Sequence, residues 1–464
     1  MAKSVKFWLG AIAGMTLLCG VGGYSGFGVP QSEYNRELER AEAVGLPSEP
    51  EKYQRVVADA DNAAPIYREA SRTWDAFRKA QPEVANAVSQ GTSELASGGN
   101  FRAATKEDFA KLGKLFLSLD QAAQKPTLCF DRKYSDGTFA LFPEFSSLRQ
   151  FVRIRVTYAL LLARQGKFDA AYQEIERSAV ISRQLGEDNP SLIGLLVQVA
   201  LRSITVRGLE QTLCLAGRQP DALKRYQRVM AALGPLPSYR EAIRGEYAFC
   251  LGTMKMLGDA ERRAEILRLF DGTDWENDQP RRMSLEEYLL GIPSFRYQMM
   301  TPVVRHYRTI YPQLPADPND VYSLLKTDKL LSAQHTGIYG IMDYLLKILV
   351  GSNFGTSPTI ARRFADDRLV ELLALNLSRS SGLSIPNDYP LDPFSNKPFR
   401  TQATKNGFRI WSVGQNETDD GGIVGSGGGM NGDIVVGYPY VDKTIRWGSS
   451  PAGAPTGLPA GSPP

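Results

Sequence analysis

The sequence predicts a mainly α-helical protein made of helical hairpins, with an N-terminal transmembrane helix and a small C-terminal antiparallel β element. Three observations predict this fold: an uncharged run near the start, apolar residues at helical spacing through the middle, and alternating residues around an Asn-Gly pair near the end. We therefore divide the chain into a membrane anchor or signal segment (1–31), a helical domain (32–358), a stem-like helix with a β region (359–445) and a disordered tail (446–464).

The membrane anchor is predicted from Phe7–Ser32, which contains no charged side chain and follows Lys3 and Lys6. About 20 apolar residues are enough to cross a bilayer as a helix. Basic residues on the N-terminal side favour a cytoplasmic N-terminus. We therefore expect a single-pass protein of a bacterial inner membrane, with its bulk on the periplasmic side. Because the strongly apolar part, Phe7–Leu18, is short, a cleaved signal peptide and a lipoprotein signal at Cys19 stay open as alternatives.

Helical periodicity, ended by glycine or proline, predicts the helices of the body. The expected helices are Ser32–Val44, Tyr53–Ala80, Lys106–Gln124, Leu192–Leu215, Asp221–Leu233, Ser238–Leu257, Leu285–Gly291, Asp320–Ala333, Thr336–Val350 and Thr359–Leu377, with loops at Ser89–Asn100 and Asp271–Gln279. Leu192–Leu215 carries Arg202, Arg207 and Glu210, so we predict a buried core helix rather than a membrane span. Prolines and aromatic residues predict an irregular segment with short helices at Pro293–Pro318.

The clearest helical hairpin is predicted at Phe145–Leu185. Apolar residues recur every fourth position on both sides of a turn at Gln165-Gly166-Lys167. The segment Ala159–Tyr172 resembles one tetratricopeptide-type (TPR) repeat. No second copy follows at the ~34-residue period of such arrays. We therefore predict one TPR-like hairpin inside a larger helical domain, and a peptide-binding array stays an alternative.

The composition argues against several kinds of chemistry. The chain has only two histidines, His306 and His335, so it cannot build a His-rich zinc site. Its four cysteines form no C-x-x-C pair. The net charge is +4, from 54 basic and 50 acidic residues without a basic stripe, so no nucleic-acid partner is expected. We predict a protein that is not an enzyme, with a hydrolase using Asp or Glu as an alternative.

The C-terminal region changes to β signals beyond Gly382. Strands are predicted at Phe399–Gln402 and Phe408–Val413, joined by a turn at Lys405-Asn406-Gly407, and a third strand at Asp433–Gly437. Asn-Gly between two alternating segments is a strong hairpin signal.

A motif order in this region carries a resemblance. Leu391-Asp392-Pro393-Phe394-Ser395-Asn396-Lys397-Pro398-Phe399 is followed by Ser412-Val413-Gly414, then Asp419-Asp420-Gly421-Gly422, then Asp433-Ile434. This order resembles the C-terminal part of type II secretion major pseudopilins, and the helix before it resembles the end of their stem. The whole chain also resembles large helical envelope proteins of planctomycete-like bacteria, a resemblance that implies no activity.

The pseudopilin resemblance implies a calcium site in the acidic loop. The ligands it implies are Asn416, Asp419, Asp420 and Asp433. Calcium prefers six to eight hard oxygen ligands, which carboxylates, amides and backbone carbonyls supply. The alternative is a solvated Asp/Gly loop that binds no ion.

The expected function follows from these elements. The N-terminus lacks the glycine before Phe7 and the glutamate of the pseudopilin leader region, so we do not expect polymerisation into a pilus. We expect a membrane-anchored, non-enzymatic envelope protein with a structural or protein-interaction role, whose partners are the membrane and other proteins. A link to secretion or pilus-like machinery and a TPR-like peptide-binding adaptor are the other options.

Overall fold

The computed structural model is mainly helical with one small antiparallel sheet, in agreement with the predicted fold class. It describes residues 28–90, 103–188, 191–271, 285–334, 356–379, 382–424 and 432–441. The predicted membrane helix, the helix predicted at Thr336–Val350 and the predicted tail lie outside the described residues.

The helices are numbered here in chain order. They are α1 Gly28–Ala43, α2 Ala64–Ala80, α3 Pro82–Gln90, α4 Lys106–Ala110, α5 Gly113–Ala123, α6 Glu144–Arg164, α7 Phe168–Glu187, α8 Leu192–Ala216, α9 Ala222–Leu233, α10 Tyr239–Met256, α11 Ala260–Asp271, α12 Leu285–Gly291, α13 Pro293–Ile310, α14 Val321–Gln334 and α15 Thr356–Ser378. Short 3-10 helices lie at Pro50–Tyr53, Tyr134–Phe139 and Tyr311–Gln313.

The helices α6, α7 and α8 form the centre of the body. Gly166, at a φ of 75°, turns the chain between α6 and α7, where the sequence predicts the hairpin. The helix α8 then packs against both. The likeness of the hairpin to a TPR repeat stays a prediction.

Close packing at this centre depends on one glycine of α8. A Cβ at Gly208 would lie 2.5 Å from Val156 Cγ1 of α6 and 3.0 Å from Ile175 Cδ1 of α7. Real Cβ atoms do not approach carbon this closely, so the three helices meet at their present distance because residue 208 has no side chain.

The helix α8 combines an apolar sequence with buried charges. Among the described residues, it has the length and composition of a helix able to cross a bilayer, and 56% of its most apolar window is buried inside the protein. Arg202 and Glu210 are both buried within the body. The burial of α8 agrees with the prediction of a core helix.

The sheet consists of β1 Arg400–Thr404, β2 Gly407–Ser412 and β3 Ile434–Tyr438, in that order and antiparallel. The sheet packs on α15 through β2 and β3. Cys214 of α8 donates a hydrogen bond from Sγ to the Gly437 carbonyl oxygen, at 3.3 Å. The sheet therefore shares one hydrophobic core with the helices from α2 to α9 and with α15. A second core joins α1, α10, α13 and the start of α15.

A buried ion pair connects α15 to the rest of the body. Asp367 accepts a hydrogen bond from Arg202 Nε at 2.7 Å and another from Arg363 Nε at 2.8 Å. Arg202 also donates to the Gly234 carbonyl oxygen at 2.9 Å, and Tyr226 Oη donates to the Asp367 backbone oxygen at 2.9 Å. All three charged side chains are buried, so each needs the others to compensate its desolvation.

Two predictions in the N-terminal half were wrong. The segment from Tyr53 is not one helix, because the Asn62 side chain bonds the Cys129 backbone N–H at 2.9 Å and its carbonyl oxygen at 2.8 Å, which holds residue 62 in a bridge. The helix α2 begins only after it, with Pro65 in its first turn. The predicted helix Lys106–Gln124 is divided before Gly113, so that Phe109 and Leu112 both enter the core.

Two further predictions were wrong. The loop predicted from Ser89 begins too early, because α3 starts at Pro82, where proline fits the first turn of a helix, and extends to Gln90. The segment predicted to be irregular contains the continuous helix α13, with Pro302 inside it. An internal proline costs about 3 kcal/mol. Burial of one face of α13, including Val303, Val304 and Tyr307, offsets this cost.

We predict that Gly208→Ala destabilises the protein by about 1–3 kcal/mol, the usual cost of overpacking a core. The free energy of unfolding, measured in urea, checks this value. Gly113→Ala is the matched control, because no atom lies within 4 Å of a Cβ at that helical position. Equal stability of Gly208→Ala and wild type would contradict the packing at this contact.

Candidate functional site

The acidic loop after β2 brings Asn416, Asp420 and Asp433 together. Asp433 comes just before β3 and is 1% exposed. One carboxylate oxygen accepts the backbone N–H of Asp420 at 3.3 Å, and the other accepts that of Gly422 at 2.7 Å. Burial raises the pKa of the Asp433 carboxyl above its ordinary value, although the two N–H donors act in the opposite direction.

Asn416 closes the outer part of the loop. Its Nδ2 donates to Asp420 Oδ2 at 3.0 Å, and its Oδ1 accepts the backbone N–H of Thr418 at 3.3 Å. Glu417 has a φ of 57°, a left-handed conformation that turns the chain between these residues. The loop is therefore organised by hydrogen bonds between neighbouring residues.

Asp419, the fourth implied ligand, binds side chains of the sheet. Its Oδ1 accepts Trp411 Nε1 at 3.0 Å and the Gly421 N–H at 3.1 Å, and its Oδ2 accepts Arg400 Nε at 3.3 Å. The hydrogen bond from Trp411, followed by that from Gly421, holds the pKa of the Asp419 carboxyl below its ordinary value.

The four implied ligands have the chemistry of a calcium site, but the structure does not arrange them as one. They supply hard oxygen atoms within one loop, as calcium requires. In the structure, however, these oxygens accept N–H groups. No group of three or more His, Cys, Asp or Glu side chains within the described ranges is placed to hold a metal ion. The calcium site therefore stays a prediction.

Asp392 of the Asp-Pro-Phe motif organises the same region and was not expected to have this role. It is fully buried, at 0% exposure. Its Oδ1 accepts Ser412 Oγ at 2.7 Å and the Phe394 N–H at 3.2 Å. Its Oδ2 accepts Ser395 Oγ at 2.8 Å and the Val413 N–H at 3.2 Å. The sequence signal for this role is an aspartate directly before a proline, a pair that is typical of the start of a turn.

Arg400 links this buried carboxylate to the acidic loop. Its Nη1 lies 3.6 Å from Asp392 Oδ2, and its Nε lies 3.3 Å from Asp419 Oδ2. The motif and the loop, which the sequence resemblance places together, are thus joined in space through one guanidinium group of β1. The contacts of Asp392 and Arg400 hold the Asp-Pro-Phe turn and the acidic loop against the sheet. We call this set of contacts the structural lock.

Comparisons of the chain with protein-family models, curated proteins and solved structures give no match. The pseudopilin resemblance therefore rests on the motif order alone.

We predict that Asp392→Asn lowers the free energy of unfolding by about 1–3 kcal/mol, the cost of leaving a buried donor unsatisfied. An amide replaces one acceptor oxygen by an NH₂ group, so one backbone N–H of residue 394 or 413 loses its partner. Asp388→Asn, at an exposed position, is the control with the same change of charge. Urea denaturation of both variants measures the difference, and equal curves would contradict the proposed lock.

Proposed function

We propose that the protein is a membrane-anchored, non-enzymatic component of a bacterial cell envelope, with a structural or protein-interaction role. The observation that carries this proposal is the uncharged run Phe7–Ser32 behind Lys3 and Lys6. Such a run inserts into a bilayer with its basic flank on the cytoplasmic side. The helical body and the sheet then lie outside the cytoplasm.

The docking of α1 supports a short connection between anchor and body. The uncharged run continues into α1, and Tyr34 and Ala41 of this helix are buried in the second core. The Glu37 carboxylate, 2% exposed, lies 2.9 Å from Arg308 Nε and 2.8 Å from Arg40 Nη1. With α1 fixed in this way, an anchor directly before it holds the body near the membrane surface.

The sheet offers an edge for contact with another protein. Within the described part of the chain, β1 pairs with β2 only, and Thr401, Gln402, Ala403 and Thr404 are exposed. An exposed edge strand presents unpaired backbone groups to which a partner strand can add. The opposite edge, β3, packs on α15. The TPR-like adaptor stays an alternative, for which α6 and α7 would supply the surface.

The environments of two buried cysteines argue against their use as nucleophiles. Burial raises the pKa of the Cys250 thiol and of the Cys129 thiol above the ordinary value. A thiol with a raised pKa is protonated at neutral pH and is a poor nucleophile.

We predict that the full-length protein remains with membranes after alkaline carbonate extraction, because its N-terminal helix spans the bilayer. Removal of residues 1–27 should release the body into the soluble fraction without changing its helical circular dichroism spectrum. Protease added to the periplasmic side should cleave the body. Recovery of the full-length chain in the cytosol would contradict the proposal.

The calcium hypothesis, which belongs to this proposal, predicts a higher melting temperature in millimolar calcium than in EGTA, because an ion that binds only the folded state stabilises it. Asp420→Asn should abolish this difference, since it removes one negative ligand charge. Asp388→Asn is the matched control. Identical wild-type melting curves in calcium and EGTA would remove the ion from the proposal.

A further inference from the structure

A cleft lies between α2, α3 and the first half of α6. Its volume is ≈ 420 Å³. This is within the range of small-molecule sites, about 300–1,000 Å³. Trp74 of α2 and Asn86 of α3 line one side, and Arg149 and Arg153 of α6 line the other.

Arg149 and Arg153 are a pair of like charges for which the described part of the chain supplies no acidic partner. They lie four residues apart on α6, so their side chains emerge from the same face. No carboxylate of the described residues lies within ion-pair distance of either guanidinium group. Burial, followed by repulsion from Arg149, lowers the pKa of Arg153. The described acidic residue in the cleft, Asp75, already pairs with Arg78 at 3.3 Å.

Two buried arginines outside the cleft have carboxylate partners. Arg155, on the same helix, lies 2.7 Å from Glu174 and 2.5 Å from Asp120. Arg132 lies 2.8 Å from Asp188. Adjacent positive charges at this spacing destabilise a helix unless an anion lies between them. At the cleft, by contrast, the exposed Arg149 and the half-buried Arg153 have no carboxylate partner among the described residues.

A neutral donor in the same wall adds to these charges. Gln150, between the two arginines in sequence, lines the cleft, and its Nε2 is buried from solvent without a hydrogen-bond acceptor among the described residues. A buried donor without an acceptor costs free energy, which a ligand oxygen would recover. The cleft therefore combines an amide donor that needs an acceptor with two guanidinium groups that have no carboxylate partner among the described residues.

We propose that this cleft binds a phosphate monoester group through Arg149, Arg153 and Gln150. Two uncompensated charges match a phosphate dianion, and guanidinium groups bind phosphate oxygens through paired N–H donors. The volume exceeds that of the phosphate group, so it leaves room for the organic part of an ester. The group belongs either to a soluble phosphate ester or to a phosphatidate headgroup, and the proposal stands whether or not the protein is anchored to a membrane.

The test uses the full-length protein in detergent and isothermal titration with inorganic phosphate at constant ionic strength. Wild type should bind saturably, and the double variant Arg149→Gln/Arg153→Gln should bind at least about tenfold more weakly, a loss of about 1.4 kcal/mol. The matched control is Arg72→Gln/Arg228→Gln, which removes two exposed arginines outside the cleft and should bind phosphate as wild type does.

Melting temperatures distinguish a variant that fails to fold from one that folds but does not bind phosphate. Without phosphate, the cleft variant should melt at the same temperature as wild type or higher, because it lacks the repulsion between the two arginines. Added phosphate should raise the melting temperature of wild type and of the control only. An equal rise in the cleft variant would overturn the proposal.

Vesicles distinguish the two sources of the group. Co-sedimentation of the chain lacking residues 1–27 with phosphatidylcholine vesicles containing phosphatidate, and not with pure phosphatidylcholine, assigns the site to a lipid headgroup. Saturable binding of inorganic phosphate without vesicle binding assigns it to a soluble ester. Loss of either signal in Arg149→Gln/Arg153→Gln supports the site, and binding of neither probe by wild type overturns it.

Discussion

The structure depends on the compensation of charges that the fold buries, above all at Asp367. This carboxylate lies where α8, α9, the α9–α10 connection and α15 converge, and it is bonded by Arg202 and Arg363. Removing one partner from such a group leaves an uncompensated buried charge, which costs more than the pair contributes. The position of α15, and of the sheet packed on it, is therefore coupled to the position of α8.

The same principle recurs at smaller scale. Asp392 gathers four donors to close the turn onto β2, and Arg155 is shared by two carboxylates between α5, α6 and α7. These groups fix geometry because each bond has a direction, whereas apolar contacts define distance only. Arg149 and Arg153 of the α2–α3–α6 cleft, one exposed and one half-buried, lie outside this internal network.

The sequence predicted the fold class because its signals were local. Apolar spacing located α6, α7 and α9, and the Asn-Gly pair located the β1–β2 hairpin. What failed depended on distant partners. Asn62 prevents a helix by bonding the backbone at Cys129, and α13 tolerates Pro302 because α1 and α10 cover its face. In the acidic loop, the resemblance implied Asn416, Asp419, Asp420 and Asp433 as ligands, but it did not reveal that Trp411 and Arg400 bind Asp419.

The placement of α15 and the sheet has a consequence for biogenesis. Residues from positions 63 to 233 share one core with residues from 365 to 436. When only the first half of the chain has been synthesised, this core still lacks residues that cover it in the complete protein, among them Leu369, Leu373 and Ile410. This core can therefore be completed only after the residues up to position 436 have been synthesised.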